Sequence, residues 1–124
     1  ILSSDSVEVY NPKVVRASVG SIFHLPIVVG VDLGEAIEAC RKAGMQIFAT
    51  DGAAGTDLTD LDADLEKPTA WVMGNESWGL PVEHLALADH TVAVPIYGQA
   101  ESLNLATAAA VCLYASASAQ RASN

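Results

Sequence analysis

Residues 103–119 hold an almost unbroken run of alanine and other small or apolar residues, among them Leu105, Ala106, Ala108, Ala109, Ala110, Val111, Leu113, Tyr114, Ala115 and Ala117. Folded as a helix, such a run is apolar around most of its circumference and has to be covered, either within its own domain or by a second copy of the chain. Directly before it stands Val94-Pro95-Ile96-Tyr97-Gly98-Gln99-Ala100-Glu101-Ser102, an apolar strand end followed by a polar loop. A loop between a strand end and a helix start exposes N–H and C=O groups that neither element satisfies, which suits it to a polar ligand. Ser102 ahead of the apolar run equally reads as a helix N-cap.

The upstream segments supply an α/β framework. Asn11-Pro12 is a helix start, with asparagine as the cap and proline at the first helical position, and opens a short helix over residues 13–22 in which Gly20 is a weak point. Residues 25–29 read as extended, with Pro26 favouring an edge, and the chain turns at Gly30. Asp32 caps a helix over residues 33–43, in which Leu33, Ile37 and Cys40 recur at helical spacing and Gly44 is the stop. Residues 45–50 follow as a strand, so the helix and its flanking strands read as a βαβ unit and predict a parallel sheet.

Residues 51–68 are glycine-rich and then acidic, and read as a solvated loop. Asp60, Asp62 and Asp64 lack the glycine and glutamate of a calcium loop. Residues 69–73 read as a buried central strand, Pro81 opens a short helix over 82–88, and residues 91–95 are the last strand. Within Gly74-Asn75-Glu76-Ser77-Trp78-Gly79-Leu80, two glycines allow close approach of backbone to a ligand. Glu76 follows the end of a parallel strand and so faces the crevice where α/β folds bind ligands.

The chain has 124 residues, 51% of them hydrophobic, which suits one domain with a sizeable core. Its 15 acidic and 6 basic residues leave a net charge of −9, so its long-range field repels phosphate backbones and this chain alone is not expected to bind nucleic acid tightly. Cys40 and Cys112, far apart and inside helical segments, read as buried reduced thiols of a cytoplasmic protein. No apolar run has the length of a membrane span. His24, His84 and His90 lack metal-ligand spacing, and neither G-x-G-x-x-G nor a Walker-type motif occurs, so ordinary metal, dinucleotide and nucleoside-triphosphate sites are disfavoured. Ser102 has no G-x-S-x-G context. Ile1 and Leu2 read as part of a strand, and the chain as a fragment or processed product.

Gly74-Asn75-Glu76 with Gly79-Leu80, Val94-Pro95 with Gly98, and Glu101-Ser102-Leu103-Asn104 before the alanine-rich helix resemble the SpoU (TrmH-type) family of RNA ribose 2′-O-methyltransferases, of the SPOUT class. Asn11-Pro12-Lys13, the stretch from Arg16 to Phe23, and Leu25-Pro26 resemble that family's middle region. The resemblance covers nearly the whole chain. It implies a parallel-sheet α/β fold with a C-terminal trefoil knot, in which 1–124 is a single truncated domain that binds S-adenosyl-L-methionine. Backbone around Gly74, Asn75, Val94, Ile96 and Leu103 would hold that cofactor, and Glu76, Ser102 and Asn104 would line the catalytic site, with no metal. The resemblance also implies a homodimer, and ribosomal or transfer RNA as partner through parts largely outside this chain. The family's upstream N-x-G-x-x-x-R motif is absent, and Arg16 falls in the middle region instead. The expectation is that the full protein methylates RNA and this fragment alone does not. A non-catalytic knotted module that only holds a ligand or partner is the alternative.

Overall fold

Asn11 and Asp32, two of the caps read from the sequence, each start a helix in the computed structural model, which describes residues 1–75 and 77–123. Asn11 Oδ1 accepts the Lys13 N–H at 2.9 Å and opens α1 (Pro12–Ala17). Asp32 Oδ1 accepts the Glu35 N–H at 3.0 Å and opens α2 (Leu33–Lys42), which Gly44 closes at φ +81°. Both caps satisfy N–H groups that the first helical turn leaves without a carbonyl. α1 is shorter than the expected 13–22. It stops at Ser18, whose Oγ donates back to the Val15 carbonyl at 2.7 Å; Val19 and Gly20 then take positive φ, and a 3-10 turn, Ser21–Phe23, follows.

The chain divides into two compact units, residues 1–36 and 37–124. In the first, β1 (Leu2–Ser3) pairs in parallel with β2 (Val29–Val31), the Leu2 N–H donating to the Val28 carbonyl at 2.8 Å. β2 begins where the expected extended segment was to end. Gly30, expected as the turn, lies inside the strand at φ +70°, where a glycine meets no steric penalty.

The second unit is built on β3 (Gln46–Thr50), whose Ile47, Phe48 and Ala49 are completely buried. β3 is the central strand of a parallel sheet, with β4 (Thr69–Val72) on one edge and β5 (His90–Val92) on the other. Two expectations change here. The strands flanking α2 do not pair as a βαβ unit, because both edges of β3 are taken and β2 bonds to β1. The strand over 69–73 is an edge strand rather than the centre. Its apolar content serves the core through Trp71 and Val72, and the Trp71 ring meets Phe48 edge-on at 5.3 Å.

The acidic stretch 51–68 is not simply a solvated loop. It forms two 3-10 turns, Leu58–Asp60 and Asp62–Glu66, that turn Leu58, Leu61 and Leu65 into the core beside Phe48, Val92 and Cys112 while the aspartates face water. Asp89 anchors the opposite end of the sheet. Its carboxylate accepts the Ile47 N–H at 2.7 Å and a hydrogen bond from the Arg41 guanidinium at 2.9 Å. The Ile47 N–H and then Arg41 hold the Asp89 carboxyl below the usual carboxylate range.

A short helix, α3 (Val82–Leu85), follows Pro81 and ends earlier than the expected 82–88. The last helix, α4 (Leu105–Ala122), packs on β4 and the 3-10 turns through Cys112, Ala115, Ser116 and Ala119. Ser116 Oγ accepts the Trp71 indole N–H at 2.9 Å, and the Gln120 amide donates to the Lys67 carbonyl at 3.0 Å. Within this chain the helix is thus covered on one face, while Val111, Leu113 and Tyr114 are exposed. Both cysteines are free thiols. Burial pushes the Cys112 thiol up to about 11, which leaves it protonated and unreactive, while Cys40 is half-buried. Among the described residues no helix is long and apolar enough to cross a membrane.

Candidate ligand site

The register of the sheet sets the site. Ala49 lies opposite Val72 and Thr91, and Thr50 opposite Val92, so the three parallel strands end side by side. The chain leaving each strand forms one wall of a cleft of about 200 Å³. Thr50, Asp51 and Gly52 come from the end of β3; Gly74, Asn75 and Gly79 from the turn after β4; Val94, Ile96, Glu101, Ser102 and Leu103 from the segment after β5. Crevices beyond the carboxyl ends of parallel strands are where open α/β sheets hold ligands, because helix starts and loop main chain converge there.

The β4 turn is held by its own backbone. Asn75 and Gly79 exchange two main-chain hydrogen bonds, at 3.1 and 2.8 Å, and Asn75 Oδ1 accepts the Ser77 N–H at 2.7 Å. This folds the chain back over Gly74. A Cβ at position 74 would fall on the Gly79 carbonyl carbon and 2.5 Å from the Leu80 nitrogen, so only glycine fits.

Of the residues singled out in the sequence, Gly74, Asn75, Val94, Ile96, Ser102 and Leu103 all line this cleft. Glu76 lies outside the described residues. Asn104 sits next to the cleft wall, but its Oδ1 accepts the Ala106 and Thr107 N–H groups at 3.0 and 3.3 Å: Asn104, not Ser102, is the N-cap of α4. Ser102 lies two residues ahead of that cap and stays in the cleft wall. Asn104→Ala is expected to lower stability by about 1 kcal/mol, while Asn104→Asp keeps most of it, read as thermal midpoints. Loss of turnover in the alanine variant therefore has to be compared with that of the aspartate variant before any chemistry is assigned to this side chain.

Sequence reasoning missed Thr50, Asp51 and Gly52, and named Glu101 only as part of the polar loop, without a role of its own. The available signal was the Asp51-Gly52 pair immediately after an apolar strand, since every parallel strand of such a sheet opens onto the same crevice. Asp51 is fixed by its own turn, its Oδ1 accepting the Ala53 N–H at 3.0 Å and its N–H donating to the Val92 carbonyl at 3.0 Å. Among the described residues the charged groups of the cleft are Asp51 and Glu101, both acidic, and no lysine, arginine or histidine lines it. The walls are otherwise apolar side chains and main chain. Such a cleft suits a ligand with an apolar body and cationic character, and lacks a basic side chain of its own. Among the described residues no cluster of side chains could hold a metal ion.

A parallel sheet with a glycine-lined crevice at its carboxyl end defines an α/β protein whose cleft lies where such sheets take small ligands. The SpoU rRNA Methylase family model matches residues 1–114, and the chain belongs to that family. It is 40% identical over 117 residues to the 23S rRNA (uridine(2479)-2′-O)-methyltransferase of Streptomyces viridochromogenes, covering 92% of this chain and 41% of that protein. It is 42% identical over 84 residues to the tRNA (guanosine(18)-2′-O)-methyltransferase of Thermus thermophilus, covering 67% of this chain and 42% of that one. Among solved structures, the SpoU methyltransferase AviRb from Streptomyces viridochromogenes in complex with AdoMet superposes with a TM-score of 0.83 at 39% identity. That match covers 100% of this chain and 49% of AviRb. The AdoMet-bound rRNA methyltransferase from Sinorhizobium meliloti gives 0.80 at 35% identity, over 93% of this chain and 43% of that one. The chain thus spans between two fifths and half the length of these relatives.

Proposed function

We propose that residues 1–124 are one truncated domain, the cofactor-binding and catalytic part of a cytoplasmic enzyme that transfers a methyl group from S-adenosylmethionine to a ribose 2′-hydroxyl of ribosomal or transfer RNA. The observation that carries this reading is the convergence of Gly74, Asn75, Val94, Ile96, Ser102 and Leu103, from two separate stretches of sequence, on one cleft. The cleft fits the cofactor chemically. Val94, Ile96 and Leu103 offer an apolar wall to a purine, the crowded glycine at 74 brings main chain within reach of it, and Asp51 and Glu101 favour a cationic ligand. When bound, S-adenosylmethionine supplies a methyl group on a positively charged sulfur.

In this reading the chain's own task is to hold and orient. Backbone at Gly74, Val94, Ile96 and Leu103, with Asn75, fixes the cofactor. Ser102 positions the incoming ribose, with Glu76 and Asn104 as the expected partners. The proton of the hydroxyl needs an acceptor or a stabilising cation. Asp51 and Glu101 are carboxylates able to accept a proton, and no lysine, arginine or histidine among the described residues lines the cleft, so a stabilising cation has to come from outside these walls. RNA is held largely by parts outside residues 1–124, given the net charge of −9. The C-terminal trefoil knot and the homodimer belong to the same proposal, and the exposed Val111, Leu113 and Tyr114 of α4 support a covering partner there.

The lack of a lysine, arginine or histidine among the described residues of the cleft also favours the second reading, a module that binds without catalysing. Calorimetry with S-adenosylmethionine and methyl transfer to ribosomal and transfer RNA, measured on the full-length protein, separate the two. Uptake of the cofactor with transfer to RNA is expected. Uptake without transfer to any RNA selects the binding module, and absence of uptake removes the methyltransferase reading.

A further inference from the structure

Two aromatic side chains stand in water on the two loops that wall the cleft. Trp78 is 82% exposed and directly precedes Gly79, a cleft residue; Tyr97 is 86% exposed and directly follows Ile96, another. Single exposed apolar side chains are ordinary. These two differ in that they come from different stretches of sequence and each is next in the chain to a residue that lines the same cleft. Trp78 also lies directly before Gly79, which exchanges two main-chain hydrogen bonds with Asn75. Neither ring is taken up by the core, which closes on Phe48 and Trp71.

Charge decides which occupant fits. The chain carries −9 and the described charges of the cleft are Asp51 and Glu101, so a polyanion gains nothing here through its phosphates. The neutral face of a base is the part of an RNA that such a surface can hold, and unpaired bases are gripped by stacking on aromatic side chains. We propose that Trp78 and Tyr97 stack an unpaired nucleobase of the RNA at the mouth of the cleft, so that the substrate is recognised in single-stranded form. This rests on the methyltransferase reading above and adds the substrate's strandedness and the residues that read it.

The test uses the full-length protein saturated with S-adenosylmethionine and a fluorescein-labelled short oligoadenylate, followed by anisotropy, with an RNA duplex of the same length beside it. Trp78→Ala and Tyr97→Ala are each expected to weaken binding of the single strand about tenfold, by the usual worth of one base–aromatic stack. Trp78→Phe and Tyr97→Phe are expected to keep it, and duplex binding to be unchanged. Equal single-strand affinity in wild type and alanine variants overturns the proposal, as does absence of single-strand binding in the wild type or an equal loss in the phenylalanine variants. A fall in oligomeric state of the alanine variants on sedimentation also overturns it and assigns the rings to a second copy of the chain. Calorimetry with the cofactor keeps the two levels apart. Cofactor uptake with aromatic-independent RNA binding sinks the stacking alone, whereas a wild type that takes up no cofactor sinks the methyltransferase reading.

Discussion

Gly74→Ala is expected to remove measurable S-adenosylmethionine binding and to lower stability by about 1–3 kcal/mol, the usual cost of forcing an extra carbon into a packed site. The cause is local and backbone-made. The new Cβ has no flexible neighbour to displace: it meets the Gly79 carbonyl and the Leu80 nitrogen, so the 74–80 turn has to open. That turn carries Asn75 and Gly79 into the cleft, and opening it moves one wall. Gly55→Ala is the matching control, because a Cβ there meets nothing within 4 Å; its thermal midpoint is expected to stay near wild type. Calorimetric titration and thermal unfolding of both variants decide the matter, and a Gly74→Ala protein with wild-type affinity would show that the turn is not seated as described.

Phe48→Ala is expected to cost about 3–5 kcal/mol, which is most of the stability of a domain at the low end of the usual range of about 5–15 kcal/mol. Phe48 is completely buried in the central strand, its ring edge-on to both Trp71 and His90 with centroids 5.3 Å away. Truncation leaves a cavity under the strand whose end supplies Thr50 and Asp51 to the cleft. Phe23→Ala, at a ring 74% exposed, is expected to change stability by no more than about 0.5 kcal/mol. Urea unfolding of the two variants is the measurement, and similar midpoints would contradict the placement of Phe48 in the core.

Residues that act on their own neighbours could be read without any tertiary information. Asn11 and Asp32 cap their helices and Gly44 ends one, because a cap needs only N–H groups two or three residues away. Position 104 shows the limit of that logic. Ser102 and Asn104 are both capping types, and which one serves depends on where the chain leaves the cleft wall and starts to coil. The acidic stretch misled for a different reason: its aspartates dominate the composition, while Leu58, Leu61 and Leu65 carry the structure at spacings of three and four residues.

Strand order was beyond the sequence as well. The runs 45–50 and 69–73 are both apolar enough for a centre, and only pairing distinguishes β3, bonded on both edges, from β4, bonded on one. The sequence by itself determined the α/β class, the caps at Asn11 and Asp32, the family and two of the stretches that meet at the cleft, since these rest on local chemistry and on motifs in a fixed order. The tertiary structure alone decided that Thr50, Asp51 and Glu101 share the cleft, that Gly74 is irreplaceable, and that Trp78 and Tyr97 are left exposed beside residues that line it in sequence. Each of those depends on which distant backbone comes to lie within a few ångströms, and register and chain reversal set that distance rather than residue type.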